Sequence, residues 1–410
     1  MKILLATSKA VPSGGGIASY NQELVNAFGA ENEIYLLTDA DETDVEGYIE
    51  TFRTCPNSNS DYEYCRRLVD CINAFEYDCI INSNSAFIPV IAPFLKAKII
   101  SISHFVNGAL ANNAGYNAEY QNGIIALSEY GKRYIEEKFN VFDSEKVHVV
   151  YNFVKDADVY ARDKVNRRPL RIVYPGGTSI KKSVDVVQQL VYRLLATDLD
   201  FEFFWLGGTR LPSARMSLLG LDSTEKLFEK DKRLHITGLI SREKSIELIE
   251  SANIFLLPSR GEGCPMTLLE AMRGGCIPIV SDAKHGSREI IENSGAGVIV
   301  RQGKSKELCK SIENVLRSHI DYVDIYDKAF DYLTDELSQQ KWTAKMLEVL
   351  DSVIPQSKKV ISMSESAFKK SSKEYAALCR CERIKDMIRS AYYRVKFDIS
   401  FVKNKLGLYR

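Results

Sequence analysis

The chain has 410 residues, 45% of them hydrophobic, with 54 basic and 54 acidic side chains. At about 150 residues per domain this length suits two or three domains with full apolar cores, and it excludes a disordered chain or a small disulfide-stapled one. Charge is unevenly placed: Lys358 to Arg410 holds 14 Lys and Arg against 5 acids, a local excess of +9 that points to an anionic partner for this end.

Nine cysteines, an odd number with no CxxC pair, fit neither a disulfide framework nor a zinc site and read as core thiols in a reducing compartment. MKILLATSKA at the N-terminus reads as a strand and a loop rather than a secretion signal, and no run of roughly 18 apolar residues occurs. The expectation is a cytosolic protein, peripheral on the inner face of a membrane where its basic end finds an anionic surface.

In chain order, Ile3 to Thr7 reads as a strand, followed by Pro12, Ser13 and the glycines Gly14, Gly15 and Gly16, then a helix from Ile17 to Phe28. A glycine-rich turn between a first strand and first helix lets backbone amides approach a bound ligand; it also serves as a plain flexible connection. Strands near Ile34 to Thr38, Cys79 to Asn82, Ala97 to Ser103, Gly123 to Leu127 and Val147 to Tyr151 alternate with helices in the α/β manner. His104 directly follows the strand ending ISIS, so it reaches the crevice at the carboxyl edge, where an imidazole can hydrogen-bond or move a proton. A lone histidine there is otherwise structural. Residues 153 to 169 are polar and turn-rich and read as a linker.

A second α/β run opens with the strand Leu170 to Tyr174 and PGGTSIKKSVDVV. Gly176 and Gly177 permit a tight turn, and Lys181 and Lys182 precede a helix from about Ser183, a place where helix amides and ammonium groups would hold a diphosphate. FEFFWLGG reads as the next strand, and Gly238 to Ser241 as a turn before a helix. The most informative stretch is IFLLPSRGEGCPMTLLEAMRGGCIPIVS: strand Ile254 to Leu257, loop Ser259 to Pro265, helix from about Pro265, stop at Gly274 and Gly275, strand Cys276 to Val280. Glu262 lies before the helix's positive end and Glu270 about one turn inside it, so both can face one crevice. An anion there would meet the free backbone donors of the stretch Cys264 to Thr267, the amides of Cys264, Met266 and Thr267 around Pro265, beside Gly263. In isolation such glutamates are a capping acid and a solvated helix acid.

PSRGEG followed by PMTLLEAM and GGCIPIVSD resembles the donor site of retaining GT-B glycosyltransferases of family four, with its Glu, seven residues, Glu pattern. ALSEYGKRYI, VVYNFV, HITGLIS and GSREIIENSGAGVIV continue the resemblance over about residues 1 to 350. It implies two Rossmann-like domains facing across a cleft, residues 1–165 on the acceptor side and 166–335 on the nucleotide-sugar donor side. A closing helix over 336–352, carrying Trp342, recrosses to the first domain. The implied activity is retaining transfer of a sugar from a nucleoside diphosphate sugar to an acceptor hydroxyl, saccharide or lipid-linked, in cell-envelope polysaccharide synthesis, with no metal, no cofactor and no nucleic-acid partner.

The resemblance makes His104, Glu262 and Lys182 the catalytic set. Donor binding falls to Gly15, Gly16, Gly176, Gly177, Lys181, Gly238, Leu239, Gly263 to Thr267 and Glu270, with Gly238 to Ser241 against the nucleobase and Glu270 on the ribose. One position departs from the family: Gly177 stands where an Arg normally clamps the diphosphate. That keeps open a degenerate nucleotide-sugar-binding or scaffold protein, and a hydrolase or phosphorylase on the same fold stays open too.

Residues 353–410 lie beyond the two domains of the resemblance. From Ile384, apolar residues recur at Ile388, Ala391, Val395, Ile399, Val402 and Leu406, with Lys385, Arg389, Lys396 and Lys403 off that stripe. This is the pattern of a basic amphipathic helix for an anionic membrane; a helix packed on its own protein is the other reading.

Overall fold

A computed structural model describes residues 1–8, 15–39, 47–55, 58–142, 145–155, 169–177, 179–208, 224–317 and 322–405, with the side chains of the last helix described as far as Tyr393. Pro12, Ser13, Gly14, most of the linker and Leu406 lie outside these residues, as do the side chains of Val395, Lys396, Ile399, Val402 and Lys403. The chain divides into two compact units, one of Met1–Asn152 with Gln340–Lys385, the other of Phe153–Gln339 with the chain from Asp386 on.

The first unit is built on strands β1 (Lys2–Thr7), β2 (Glu33–Thr38), β3 (Thr51–Arg53), β4 (Cys79–Asn82), β5 (Lys98–Ser103), β6 (Gly123–Ala126) and β7 (Val147–Val149). All pair in parallel, in the order β3-β2-β1-β4-β5-β6-β7. Their near-continuous apolar runs are buried because helices cover both faces, as parallel crossovers require. The order reverses at β1, so the carboxyl ends of β1 and β4, in register from Ile3 and Cys79 to Ala6 and Asn82, flank the switch point. The edge strand β3 carries no apolar alternation and was not foreseen.

The second unit repeats the plan with β8 (Leu170–Tyr174), β9 (Phe201–Trp205), β10 (Leu234–Ile236), β11 (Ile254–Leu257), β12 (Ile277–Ser281) and β13 (Val298–Val300), ordered β10-β9-β8-β11-β12-β13 and again parallel. Counted within the unit this is the 3-2-1-4-5-6 order of a dinucleotide-binding sheet, reversing between β8 and β11. Two Rossmann-like α/β sheets were the expectation, and two are present.

The C-terminal region is helical, as expected, but its first half is not a free extension. Helix Gln339–Val353 seats Trp342 edge-on to Tyr20 and Phe28. The last helix, Glu365–Lys405, inserts Phe368 and Tyr375 into the apolar cluster of Tyr35, Phe87 and Leu95. Lys138 pairs with the buried Glu382 at 3.0 Å. Burial of aromatic side chains at Phe368 and Tyr375 interrupts the polar character that composition alone assigns to this stretch. Among the described residues no helix is long and apolar enough to cross a membrane.

Candidate active site

In the second unit the switch point puts two loops side by side, the one leaving β8 and the one leaving β11. The β8 loop turns at Gly176 and Gly177. A Cβ at Gly176 would lie 2.0 Å from the Tyr174 ring, and Gly177 has φ +51°, so both positions need glycine. Trp205 Nε1 donates to the Gly177 carbonyl at 3.0 Å, and the Tyr174 hydroxyl donates to the Lys182 carbonyl at 2.8 Å. These bonds fix a short 3-10 turn, Ile180–Lys182, before Ser183 takes a left-handed conformation and starts the helix Val184–Leu195. The positive φ gives a physical reason for glycine at 177: an Arg in this turn would have open space for its side chain but a strained backbone.

The β11 loop carries Arg260, Glu262, Gly263 and Cys264 into the helix Met266–Arg273, whose N-cap is Pro265. Proline offers no side-chain cap, so the first-turn amides at Met266 and Thr267 have no N-cap side chain competing with an anion. Lys182 Nζ lies 2.6 Å from Glu262 Oε1, joining the two loops through two of the three residues that the resemblance makes catalytic. Lys181 pairs with Asp386 at 3.0 Å.

One turn into the same helix, Glu270 is only 5% exposed and pairs with Arg242, the first residue of helix Arg242–Ser251. Burial raises the Glu270 pKa, and the Arg242 charge opposes that rise. Its second oxygen, Oε2, is buried and has no hydrogen-bond partner among the described residues. A buried carboxylate oxygen left unmatched is costly unless a ligand hydroxyl meets it. Close by in sequence, Gly238 (φ +65°) accepts from the Gly207 amide at 3.1 Å, and Leu239 is 96% exposed.

Sequence reasoning missed the groups that hold these loops. Arg260 makes a bidentate ion pair with Asp185 at 2.8 and 2.7 Å, both side chains nearly buried. Its guanidinium also donates to the Ile180 carbonyl, and its amide donates to that of Lys181 at 2.8 Å. His285, fully buried, caps helix Gly286–Ser294: its Nδ1 accepts from the Arg288 amide, leaving Nε2–H to donate to the Ser259 carbonyl at 3.2 Å. Burial lowers its pKa, so it stays neutral. Partners 75 to 80 residues apart leave no local signature.

Gly15, Gly16 and His104 belong to the first unit, the other named residues to the second. Gly15 has φ +103° and precedes helix Gly16–Phe28. A chain of hydrogen bonds sets the state of His104. The Ser83 hydroxyl donates to Asn21 Oδ1 at 2.5 Å, so it must accept from His104 Nε2 at 2.8 Å. Asn21 Nδ2 in turn donates to Thr7 Oγ1 at 3.1 Å. The proton is therefore on Nε2 and the lone pair on Nδ1. Burial lowers the imidazole pKa to about 3, and Tyr20 stands edge-on to the ring at 5.0 Å.

This geometry agrees with sequence comparison. Residues 14–158 match the model of the Glycosyltransferase Family 4, and residues 169–318 that of the Glycosyl transferases group 1. The chain belongs to this glycosyltransferase family. It is 25% identical over 196 residues to the amylovoran biosynthesis glycosyltransferase AmsK of Erwinia amylovora, covering 46% of either chain. Over 83 residues it is 36% identical to N,N'-diacetylbacillosaminyl-diphospho-undecaprenol alpha-1,3-N-acetylgalactosaminyltransferase of Campylobacter jejuni, 20% of this chain and 21% of that one. The chain thus spans about half or less of the length of these curated relatives. Among solved structures, Anabaena HepE in complex with UDP-glucose superposes with a TM-score of 0.67 at 17% identity, over 86% of this chain and 100% of that one. The lipopolysaccharide outer core galactosyltransferase WaaB gives 0.62 at 19% identity over 86% and 99%. The fold is the GT-B fold.

Proposed function

We propose that this chain transfers a sugar, with retention, from a nucleoside diphosphate sugar to the hydroxyl of a lipid-linked or saccharide acceptor in cell-envelope polysaccharide synthesis. The observation that carries the reading is the buried, unmatched Glu270 Oε2 at the β8/β11 switch point, one helical turn below uncapped amides and in the same loop–helix unit as Glu262 of the Lys182–Glu262 pair. A ribose hydroxyl donates to Glu270. Lys182, Lys181 and the positive end of helix Met266–Arg273 offset the charge that develops on the departing diphosphate.

Glu262 is engaged by Lys182, which suits a group that orients the transferred sugar better than a nucleophile. Front-face attack, with the leaving phosphate taking the acceptor proton, accounts for retention without a covalent enzyme intermediate. His104, neutral and with Nδ1 as an acceptor, serves by accepting a hydrogen bond from a sugar hydroxyl rather than by giving up a proton. Support for the acceptor class comes from relatives: the Campylobacter protein is named for a diphospho-undecaprenol substrate and an alpha-1,3 linkage. Another relative, from Xanthomonas campestris and 25% identical over 180 residues, is named GDP-mannose:cellobiosyl-diphosphopolyprenol alpha-mannosyltransferase.

Thermal shift with UDP, GDP, dTDP and their sugars tests the donor assignment, because a ligand that binds only the native state raises its melting temperature. Product anomeric configuration by NMR, with the responding donor and a polyprenyl-diphosphate saccharide, tests transfer. Inversion at the anomeric carbon removes the retaining mechanism; donor cleavage that is indifferent to acceptor favours a hydrolase. Nucleotide binding without turnover leaves a scaffold.

A further inference from the structure

Beyond residue 318, where the match to the donor-domain family ends, the chain returns to the donor loops. Tyr393, on the last helix, lays its ring over the Arg260 guanidinium with the carbon Cζ 3.7 Å from the ring centroid. Two turns earlier, Asp386 meets Lys181 at 3.0 Å. The helix thus touches both strands of the clamp, Arg260 from the β11 loop and Lys181 from the β8 loop. Asp386 and Tyr393, seven residues apart, fall on one side of a helix of 3.6 residues per turn.

Arg260 is the residue that ties these loops together. It holds Asp185 at the start of helix Val184–Leu195, the Ile180 carbonyl and, through its own amide, the Lys181 carbonyl. The relative position of Lys182 and Glu262 depends on this tie. A buried Arg–carboxylate pair is sensitive to water, since its attraction weakens as the local dielectric rises. An aromatic ring over the guanidinium both excludes water and supplies cation–π attraction without competing for the hydrogen bonds that Arg260 makes at its edge.

We propose that Tyr393 is a positioning residue of the donor site: it fixes Arg260, and through Arg260 the lysine turn, so that the C-terminal helix completes a diphosphate clamp lacking the usual Arg at position 177. The inference rests on the donor-site reading above. Its action is on donor binding, and it touches neither acceptor nor transferred sugar.

The experiment is calorimetric titration of the full chain with UDP and with GDP, followed by initial rates with the donor sugar of the nucleotide that binds. Tyr393→Ala weakens nucleotide binding roughly three- to tenfold, raises the donor KM in proportion, lowers kcat by no larger a factor because the lysine turn it positions also serves the departing diphosphate, and leaves the acceptor KM near wild type. Tyr393→Phe restores affinity, because stacking needs the ring and not the hydroxyl. A loss of kcat with unchanged nucleotide affinity, or Tyr393→Phe behaving as Tyr393→Ala, overturns the proposal. Lys182→Ala is the arm that tests the reading underneath. If it weakens binding and Tyr393→Ala does not, only the role of Tyr393 falls. If Lys182→Ala binds as wild type, or the wild-type chain binds neither nucleotide, the donor-site reading falls and this proposal with it.

Discussion

Glu270 and His104 look alike in the sequence, each a polar residue beside an apolar run, yet their surroundings fix opposite tasks. Glu270 keeps one oxygen on Arg242 and leaves the other unmatched and buried. Glu270→Ala therefore removes a charged hydrogen-bond acceptor from the ligand, which is worth about 1.5 to 3 kcal/mol. Calorimetry should find nucleoside diphosphate affinity roughly tenfold or more weaker; unchanged affinity would sink the ribose role. kcat/KM for the donor sugar falls in parallel through a higher donor KM, while kcat stays near wild type, since ribose contacts act equally in ground and transition states.

His104 differs in that its pKa is lowered to about 3 by burial, which makes it silent near neutrality. The sign follows from linkage. Below about pH 6.5 the unfolded chain takes up a proton on this imidazole and the native chain does not, so stability drains away as pH falls from 6.5 towards 3. His104→Gln abolishes that drain: between pH 7 and 5 its unfolding free energy should decline less than that of wild type, by at most about 2 kcal/mol. Urea denaturation at the two pH values measures it, and parallel declines refute the assignment of a native-state neutral ring. The same state removes His104 as the source of any acid limb near pH 6.5 in the rate profile.

Elements were legible where local pattern and tertiary role coincide. β1, β8 and β11 announce themselves as short apolar runs followed by glycine or proline. The helix stop at Gly274 and Gly275 is visible because Gly275 takes φ +73°, a conformation that favours glycine. The donor loops were legible for the same reason: glycines, lysines and acids stand in order along the chain. What sequence could not display is the set of long-range ties, Arg260 to Asp185, Arg242 to Glu270 and Ser83 between Asn21 and His104, because charge pairing and relayed hydrogen bonds depend on sheet order rather than on neighbours in sequence. β3 escaped for want of any alternation in three residues.

The last helix was half legible. Its exposed stripe is where periodicity put it, with Ile384, Ile388 and Ala391 all exposed, but the burial of Phe368 and Tyr375 in the first unit was not anticipated. Phe368 is fully buried, so Phe368→Ala leaves a cavity in that core and should cost about 3 to 5 kcal/mol in denaturant unfolding. A loss below about 1 kcal/mol would mean that the helix rests on the unit without being part of it.

At the scale of the whole molecule the net charge is zero, yet the chain from Lys358 carries +9 and the remainder must balance it. Along the last helix, the same stretch that contributes Asp386 and Tyr393 presents a different side to solvent. Ile384, Met387, Ile388 and Tyr392 are 50%, 72%, 64% and 58% exposed, at steps of three and four that keep them on one face. Lys385 and Arg389 flank them, each also paired with a helix acid. Exposed apolar side chains bordered by basic ones fit an anionic lipid surface, where apolar groups enter the headgroup boundary and each Lys or Arg adds about 1 kcal/mol. Such a surface is where an acceptor on a carrier lipid would be found, which gives the reading its functional sense. The prediction is that the full chain floats with vesicles containing phosphatidylglycerol but not with phosphatidylcholine alone, and that flotation declines as salt rises past the screening range. Changing Ile384, Met387 and Ile388 together to Ser should cut the bound fraction at limiting lipid roughly tenfold or more, because three partly inserted side chains are lost. These positions are exposed, so the melting temperature of the triple variant serves as the control for folding. Deleting the tail would be a poorer test, since it removes Phe368 from the core and Tyr393 from Arg260. Equal flotation of wild type and triple variant would assign binding to another surface, and no flotation of either would end the membrane reading while leaving the donor site untouched.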